Sequence, residues 1–176
     1  MSIKRALRFA VILSALLAGM LGTVPAHADQ WNTCPTWDCG KNSFSAETQV
    51  HTPAGGRRIA DIAVGDIVFG SAPGTFSVRA YKVRKTISHI DVSTLSLRIS
   101  GQSIETTMDH RFYANGRGWV PAGHLRVGDQ IHSMRGIAGK VEGIDVDDNV
   151  NTRMYNLVVD EARSFFVSSS GWLVGG

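Results

Sequence analysis

Residues 103–113, with the sequence SIETTMDHRFY, place a short polar run between two strand-like segments. The alternation typical of a strand breaks at Thr107 and resumes at Phe112. A hydroxyl and an imidazole three residues apart at the end of a strand can both point into one pocket. Imidazole titrates near neutral pH and can move protons there. We therefore take Thr107 and His110 as candidate catalytic residues.

The rest of the chain from Ser43 onward has the texture of a β domain. Short runs rich in Val, Ile, Thr, Phe and Tyr alternate with turn signals such as Asn115-Gly116, and no stretch keeps a long helical period. One helical turn fits within residues 120–125. We predict strands near residues 48–51, 66–70, 76–90, 94–100, 103–107, 112–114, 118–121, 130–134, 140–146, 152–159 and 164–167.

An internal repeat divides this β domain in two. Residues 58–68 (RIADIAVGDIV) echo residues 120–131 (VPAGHLRVGDQI), and each copy places Val-Gly-Asp before an apolar strand. We expect two similar halves related by a pseudo-two-fold axis. Val64 and Val127 should then occupy equivalent buried sites, and the glycine that follows each should form the same turn.

Residues 1–28 have the pattern of a secretory signal peptide. A basic start, an apolar run over residues 9–21 and the small-x-small site AHA predict cleavage after Ala28. An uncleaved membrane anchor is the alternative, but the apolar run is short for a span and Pro25 follows it. We expect a secreted or periplasmic protein without stable membrane insertion.

The net charge of +3 gives no sign of nucleic-acid binding. The signal peptide holds three of the 18 basic residues and none of the 15 acidic ones, so the mature chain is close to neutral. Basic clusters interleaved with aromatic residues are also missing from the sequence. We expect no nucleic-acid partner.

The two cysteines, Cys34 and Cys39, form a close pair in a chain predicted to be exported. In an oxidising compartment such a pair predicts a disulfide. A zinc site is the rival interpretation, but two further ligands at metal spacing are missing. A redox motif is disfavoured because the spacing differs from Cys-x-x-Cys. We expect neither a metal nor a cofactor.

The blocks at residues 43–50 and 106–112 resemble the two that define Hint domains, the fold shared by inteins, hedgehog C-terminal domains and bacterial intein-like or pretoxin-type modules. Ser43-Phe44 resembles the opening block, and Thr107-Met108-Asp109-His110 resembles the Thr-x-x-His block. The resemblance implies an all-β, pseudo-two-fold-symmetric, horseshoe-like fold over residues 43–176, which leaves residues 29–42 as a short leader. Further matches lie at residues 64–66, 116–122, 125–129, 155–159 and 165–167.

The resemblance also implies a chemistry. The Ser43 hydroxyl would attack the Asn42 carbonyl, so that the Asn42–Ser43 peptide bond becomes an ester by an N–O acyl shift. His110 would protonate the departing Ser43 nitrogen, and Thr107 would hold the strained peptide and its oxyanion. The protein would then act once, with its own N-terminal segment as substrate and with a second nucleophile that the sequence does not identify.

Several residues depart from the family pattern. Ser43 stands where the nucleophile is usually Cys, and Asn156 and Arg163 stand where Asp and His are frequent. Gly175-Gly176 replaces the intein-type His-Asn, which implies that Asn cyclisation and splicing are impossible at that point. These departures leave an alternative function open, a catalytically decayed Hint-fold secreted module with a binding or structural role.

The signal peptide and the cysteine pair lead to a prediction about the mature protein. Protein recovered from an oxidising compartment should begin at Asp29 and contain no free thiol, because the signal is removed and Cys34 pairs with Cys39. N-terminal sequencing and thiol labelling without reductant test both points. Labelling of both cysteines would rule out the disulfide.

Overall fold

The computed structural model describes residues 32–33 and 42–176, and within them the chain forms strands and two short 3₁₀ turns, with no α-helix. The strands are β1 (Asn32–Thr33), β2 (Phe44–Ser45), β3 (Gln49–Thr52), β4 (Gly55–Arg58), β5 (Ile67–Ser71), β6 (Val78–Ile99), β7 (Gln102–Thr106), β8 (Arg111–Ala114), β9 (Gly118–Pro121), β10 (Gln130–Ile131), β11 (Gly139–Val159), β12 (Ser164–Val167) and β13 (Trp172–Gly175). The 3₁₀ turns span Ile59–Asp61 and Ala122–His124.

The all-β class is confirmed, and so is the single turn expected near residue 122. The strands predicted at residues 76–90 and 94–100 form one long strand, β6, and those predicted at residues 140–146 and 152–159 form another, β11. These two strands pair antiparallel, from Val83 opposite Val159 to Ile99 opposite Val141. A register shift between Asp148 and Thr152 accounts for the break in the sequence pattern of β11. The short strands β1, β2, β4 and β13 were missed.

The strands join into a sheet with the order β1-β6-β7-β2-β11-β10-β8-β13-β12-β3-β4, in which β5 also pairs with β6 and β9 with β8. The two-residue strand β2 lies between β7 and β11. Phe44 pairs with Thr106 on one side and with Tyr155 on the other. The opening block of the domain is thus held at the middle of the sheet by strands that come much later in the chain.

The core surrounds this central strand. The fully buried ring of Phe44 meets Phe112 and Phe165 edge to face, with ring centroids 6.1 and 6.2 Å apart. Such pairs contribute about 0.5–1.5 kcal/mol each beyond the area that they bury. The aromatic core therefore fixes the residue that follows Ser43.

The internal repeat is a structural repeat. The Ile59 amide donates to the Thr48 carbonyl at 2.8 Å, and the Ala122 amide donates to the His110 carbonyl at 2.8 Å. The pseudo-two-fold axis thus equates Thr48 with His110. The first 3₁₀ turn thus supports the opening block, and the equivalent second turn supports the backbone of His110.

The Val-Gly-Asp turns that follow are also equivalent. Gly65 and Gly128 have φ of 96° and 101°, a left-handed region that favours glycine. Each of these glycine amides donates to the backbone of the long strand that comes next, to Val83 at 2.9 Å and to Val141 at 2.8 Å. The expected equivalence of the two turns is confirmed.

The expectation that Val64 and Val127 are buried is wrong, since their side chains are 48% and 66% exposed. The buried residues of the two turns lie two positions earlier, at Ile62 and Leu125, with 2% and 5% exposure. Each 3₁₀ turn points this earlier side chain into the core, and the chain then leaves the core to form the glycine turn.

Some expectations fall outside the residues that the structure describes. These are the signal peptide over residues 1–28, the disulfide between Cys34 and Cys39 and most of the leader. Strand β1 is described, and it pairs in parallel with Ile87 and Ser88 of β6. Among residues 32–33 and 42–176, the structure has no helix of the length and apolarity needed to span a membrane.

These turns predict a contrast in stability between neighbouring residues. Ile62→Ala and Leu125→Ala should each lower the free energy of unfolding by about 2–5 kcal/mol, because each leaves a cavity in the core. Val64→Ala and Val127→Ala should change it by less than about 0.5 kcal/mol, because the valines are exposed. Urea unfolding of the four variants measures the difference, and equal losses in all four would contradict the prediction.

Candidate active site

The backbone of Ser43 is fixed by the end of strand β7. The Ser43 amide donates to Thr107 Oγ1 at 3.0 Å, and the Thr107 amide donates to the Ser43 carbonyl at 3.0 Å. Both residues are buried. The structure therefore brings together Ser43 and Thr107, which lie 64 positions apart in the sequence.

Thr106 is a contact that sequence reasoning missed. Its Oγ1 donates to the Ser43 carbonyl at 2.8 Å, and its side chain is fully buried. The Ser43 carbonyl thus accepts two hydrogen bonds, which satisfies both of its lone pairs. The Thr-Thr doublet was visible in the sequence, but the role of its first member depends on the pairing of Thr106 with Phe44.

The Ser43 hydroxyl lies against the bond that it was expected to attack. Its Oγ donates to the Asn42 carbonyl oxygen at 2.6 Å. Ser43 has no exposed surface, whereas Asn42 is exposed. The Asn42–Ser43 peptide bond therefore joins an exposed residue to a buried one, and the candidate nucleophile Ser43 Oγ belongs to the buried residue.

His110 is fully buried and packs on the opening block, with its ring centroid 4.1 Å from that of Phe44. Burial lowers the pKa of His110 from 6.5 to about 3, while the backbones of Gly175 and Asn42 oppose the shift and favour the protonated ring. Neither ring nitrogen makes a hydrogen bond of normal geometry to the described residues. The imidazole is therefore neutral at pH 7, near the backbone on the acyl side of the bond.

A neutral imidazole changes the order of proton transfer expected for His110. A resting cation would be needed if His110 acted first as an acid, and the lowered pKa makes that form rare. A neutral ring can first accept the Ser43 hydroxyl proton. The cation formed in this way is a strong acid in the same buried site, able to protonate a departing nitrogen.

Thr107 lies on the nitrogen side of the Asn42–Ser43 bond, because its Oγ1 accepts the hydrogen bond of the Ser43 amide. This contact holds the orientation of the amide that would depart. The role expected for Thr107 as a donor to the oxyanion stays a prediction.

The residues other than Ser43 that depart from the family pattern line one open cavity of about 720 Å³, which Asn42 also lines. Asn156, Arg163 and Gly175 all contribute to its wall. Asn156 is nearly buried, and its Oδ1 accepts the Leu157 amide at 2.8 Å. The positions where the family pattern has Asp, His and Asn therefore lie in the wall of a cavity beside the Asn42–Ser43 bond.

Two other histidines make local contacts. A ring nitrogen of His51 lies 2.7 Å from the Ser168 carbonyl oxygen, and His89 lies 3.4 Å from Asp91. Across residues 32–33 and 42–176, no three His, Cys, Asp or Glu side chains come together as they would to hold a metal ion.

The buried imidazole predicts a stability that depends on pH. The unfolded chain takes up a proton on His110 below pH 6.5, whereas the folded chain does so only near pH 3. Acidification from pH 6.5 should therefore lower the free energy of unfolding by about 1.4 kcal/mol per pH unit through this group. Urea unfolding of the parent and of His110→Leu across this range measures its share.

The matched control is His132→Leu. Burial also lowers the pKa of His132, but that ring is only partly buried, so its removal should flatten the pH dependence less. Identical pH dependence in the parent and in His110→Leu would show that His110 does not titrate as the structure implies.

Comparison with solved structures places this geometry among known relatives. A bacterial intein-like domain from Clostridium thermocellum is similar, with a TM-score of 0.73 and 34% identity over 76% of this chain and 98% of that one. The gp41-1 intein has a TM-score of 0.63 and 21% identity over 77% and 98% of the two chains. A variant of the Ssp DnaB mini-intein has a TM-score of 0.66 and 15% identity over 77% and 94%.

The similarities to the gp41-1 intein and to the Ssp DnaB mini-intein variant establish a common fold. No curated protein matches the sequence significantly. The family model of the pretoxin Hint domain matches residues 49–174, which cover most of the β structure described above. This chain therefore belongs to the pretoxin Hint domain family, a group of intein-like autoprocessing modules.

Proposed function

We propose that this protein cleaves its own chain once, between Asn42 and Ser43, through an N–O acyl shift. The observation that carries the proposal is the Ser43 hydroxyl, which lies 2.6 Å from the Asn42 carbonyl oxygen inside a buried site. A nucleophile already in contact with the group that it attacks has little translational freedom left to lose. The neutral His110 near the backbone of Asn42 supplies the base.

The reaction begins when His110 accepts the Ser43 hydroxyl proton and Oγ bonds to the Asn42 carbonyl carbon. The tetrahedral intermediate then breaks its bond to the Ser43 nitrogen, which receives the proton from His110. The product is an ester that links Asn42 to Ser43 Oγ. No atom has been gained or lost, and an acceptor must attack the ester before the two pieces separate.

Thr106 and Thr107 act as positioning residues in this scheme. Their hydrogen bonds hold the carbonyl and the amide of Ser43, so the acyl shift moves the Asn42 side of the bond while Ser43 stays in place. A fixed leaving nitrogen beside a fixed nucleophile favours the one geometry in which the transfer can occur.

Ser43 makes this reaction slower than it would be with Cys. A thiol ionises near pH 8.5, whereas a hydroxyl needs a base to become a nucleophile. We further propose that the reaction stops at cleavage. Gly175 and Gly176 carry no side chain that could cyclise or assist cyclisation, so splicing at that point has no chemical group to perform it.

A second candidate function is a Hint-fold module without turnover, serving in binding or structure. Ser43, Asn156, Arg163 and the Gly175-Gly176 pair favour it, because each replaces a group that the family uses in catalysis. For either function we propose a secreted or periplasmic location, supported by the signal-like pattern of residues 1–28.

One variant decides between the two functions. Ser43→Cys with hydroxylamine should give rapid cleavage and a fragment that begins at residue 43, because a thiolate attacks readily and hydroxylamine captures the thioester. Intact mass spectrometry follows the reaction. The parent should cleave at the same bond but more slowly, and Ser43→Ala should not cleave at all.

Two controls separate the site from the reagent. Ser45→Cys places a new thiol two residues away, where no cleavage should follow. Ser43→Cys combined with His110→Ala should react about 10²–10⁴-fold more slowly than Ser43→Cys alone. If Ser43→Cys treated with hydroxylamine keeps the full-length mass, the site is not competent and the second candidate function is the correct one.

A further inference from the structure

The cavity beside the candidate bond offers an approach to its acyl group. Ser43 and His110 have no exposed surface, so a molecule from solvent cannot touch them directly. Asn42 and Gly175 line the cavity of about 720 Å³. The ester that forms on Ser43 would therefore be reached from this cavity.

One wall of the cavity is aromatic. Phe76, Tyr113 and Trp119 line it, and their rings meet edge to face, with centroids 5.1 Å apart for Phe76 and Tyr113 and 5.3 Å apart for Tyr113 and Trp119. Phe76 is 52% exposed and Trp119 is 42% exposed. Contiguous exposed aromatic surface is typical of a binding site, because its contact with water is costly.

The charged groups of the cavity are arranged for a ligand. Arg111 and Arg163 line it, and neither guanidinium makes an ion pair or a hydrogen bond to the described residues. Away from this cavity, Arg57 pairs with Asp66 and Arg84 pairs with Asp160. Two unpaired guanidinium groups beside aromatic rings favour a carboxylate that carries an apolar body.

A carboxylate side chain also lines this cavity. Asp109 lines the cavity next to His110 in the chain, and it can attract an ammonium group. A ligand that contacts all of these groups has a carboxylate for the arginines, an aromatic ring for the aromatic wall and an amine for Asp109. An aromatic α-amino acid has these three groups.

We propose that this cavity is the acceptor site of the self-cleavage reaction and that it takes a free aromatic α-amino acid, an inference that rests on the proposed function. The neutral amine attacks the Asn42 carbonyl carbon of the ester and forms a C–N bond. The bond from that carbon to Ser43 Oγ breaks, and the proton lost by the amine passes to Oγ. The leader leaves with the amino acid joined to Asn42 by an amide.

Binding can be measured without any reaction. The full chain with Ser43→Ala, labelled with ¹⁵N, should show a saturable shift of the Trp119 indole resonance when phenylalanine is added. The resonance is assigned with Trp119→Phe. Phenylalaninamide, which lacks the carboxylate, and glycine, which lacks the ring, should each bind about 10-fold more weakly or worse.

Matched arginine variants test the charge of the site. Arg111→Gln and Arg163→Gln, each in the Ser43→Ala chain, should weaken phenylalanine binding about 10-fold, as expected for a lost charge-assisted hydrogen bond. Arg84→Gln should leave it unchanged, because Arg84 pairs with Asp160 away from the cavity lining. No saturable shift, or equal binding of phenylalanine and phenylalaninamide, would overturn the site.

Transfer is tested with Ser43→Cys, whose thioester reacts faster than the ester. At saturating phenylalanine, the leader fragment that ends at Asn42 should carry the added mass of one phenylalanine residue. If hydroxylamine cleaves this variant but bound phenylalanine is not transferred, the acceptor role is wrong. If hydroxylamine does not cleave it, the proposed function and the acceptor role both fail, while the titration still decides whether the cavity binds.

Discussion

The two hydrogen bonds to the Ser43 carbonyl are the contacts on which the candidate site depends. The Thr107 amide and Thr106 Oγ1 both donate to this oxygen, at 3.0 and 2.8 Å. They set the register of a strand of two residues, too short to pair stably by itself. The hydroxyl of Ser43, the packing of Phe44 and the surroundings of His110 all follow from that register. The sheet thus positions the candidate nucleophile through its backbone contacts with neighbouring strands.

Burial gives the site both its cost and its chemistry. A fully buried imidazole without a hydrogen bond of normal geometry destabilises the fold in acid, and a packed apolar ring would avoid that cost. The same burial keeps the ring neutral and able to accept a proton at pH 7. The burial that destabilises the fold at His110 therefore also produces the neutral imidazole that the proposed self-cleavage needs.

Much of the domain could be predicted from local sequence patterns. The Thr-x-x-His block, the opening block and the two Val-Gly-Asp turns are short, and the structure places each where a pseudo-symmetric β fold requires it. Thr106 and the backbone of Gly175 could not be predicted, because their roles depend on strand register between distant segments. Val64 and Val127 were misjudged because apolar character alone does not say which way a side chain points as the chain leaves the core. The continuous strands β6 and β11 were also hidden, because a register shift interrupts the pattern of one of them.

The position of β13 in the sheet determines when the candidate site becomes complete during synthesis. Val174 pairs with Phe112, and the backbone of Gly175 lies close enough to His110 to affect its pKa. A ribosome joins Asn42 to Ser43 long before it reaches residue 175, and a nascent chain folds as it emerges. During that interval the bond exists while the wall around its imidazole is incomplete. For the proposed cleavage, this topology delays completion of the site until strand β13 has been made.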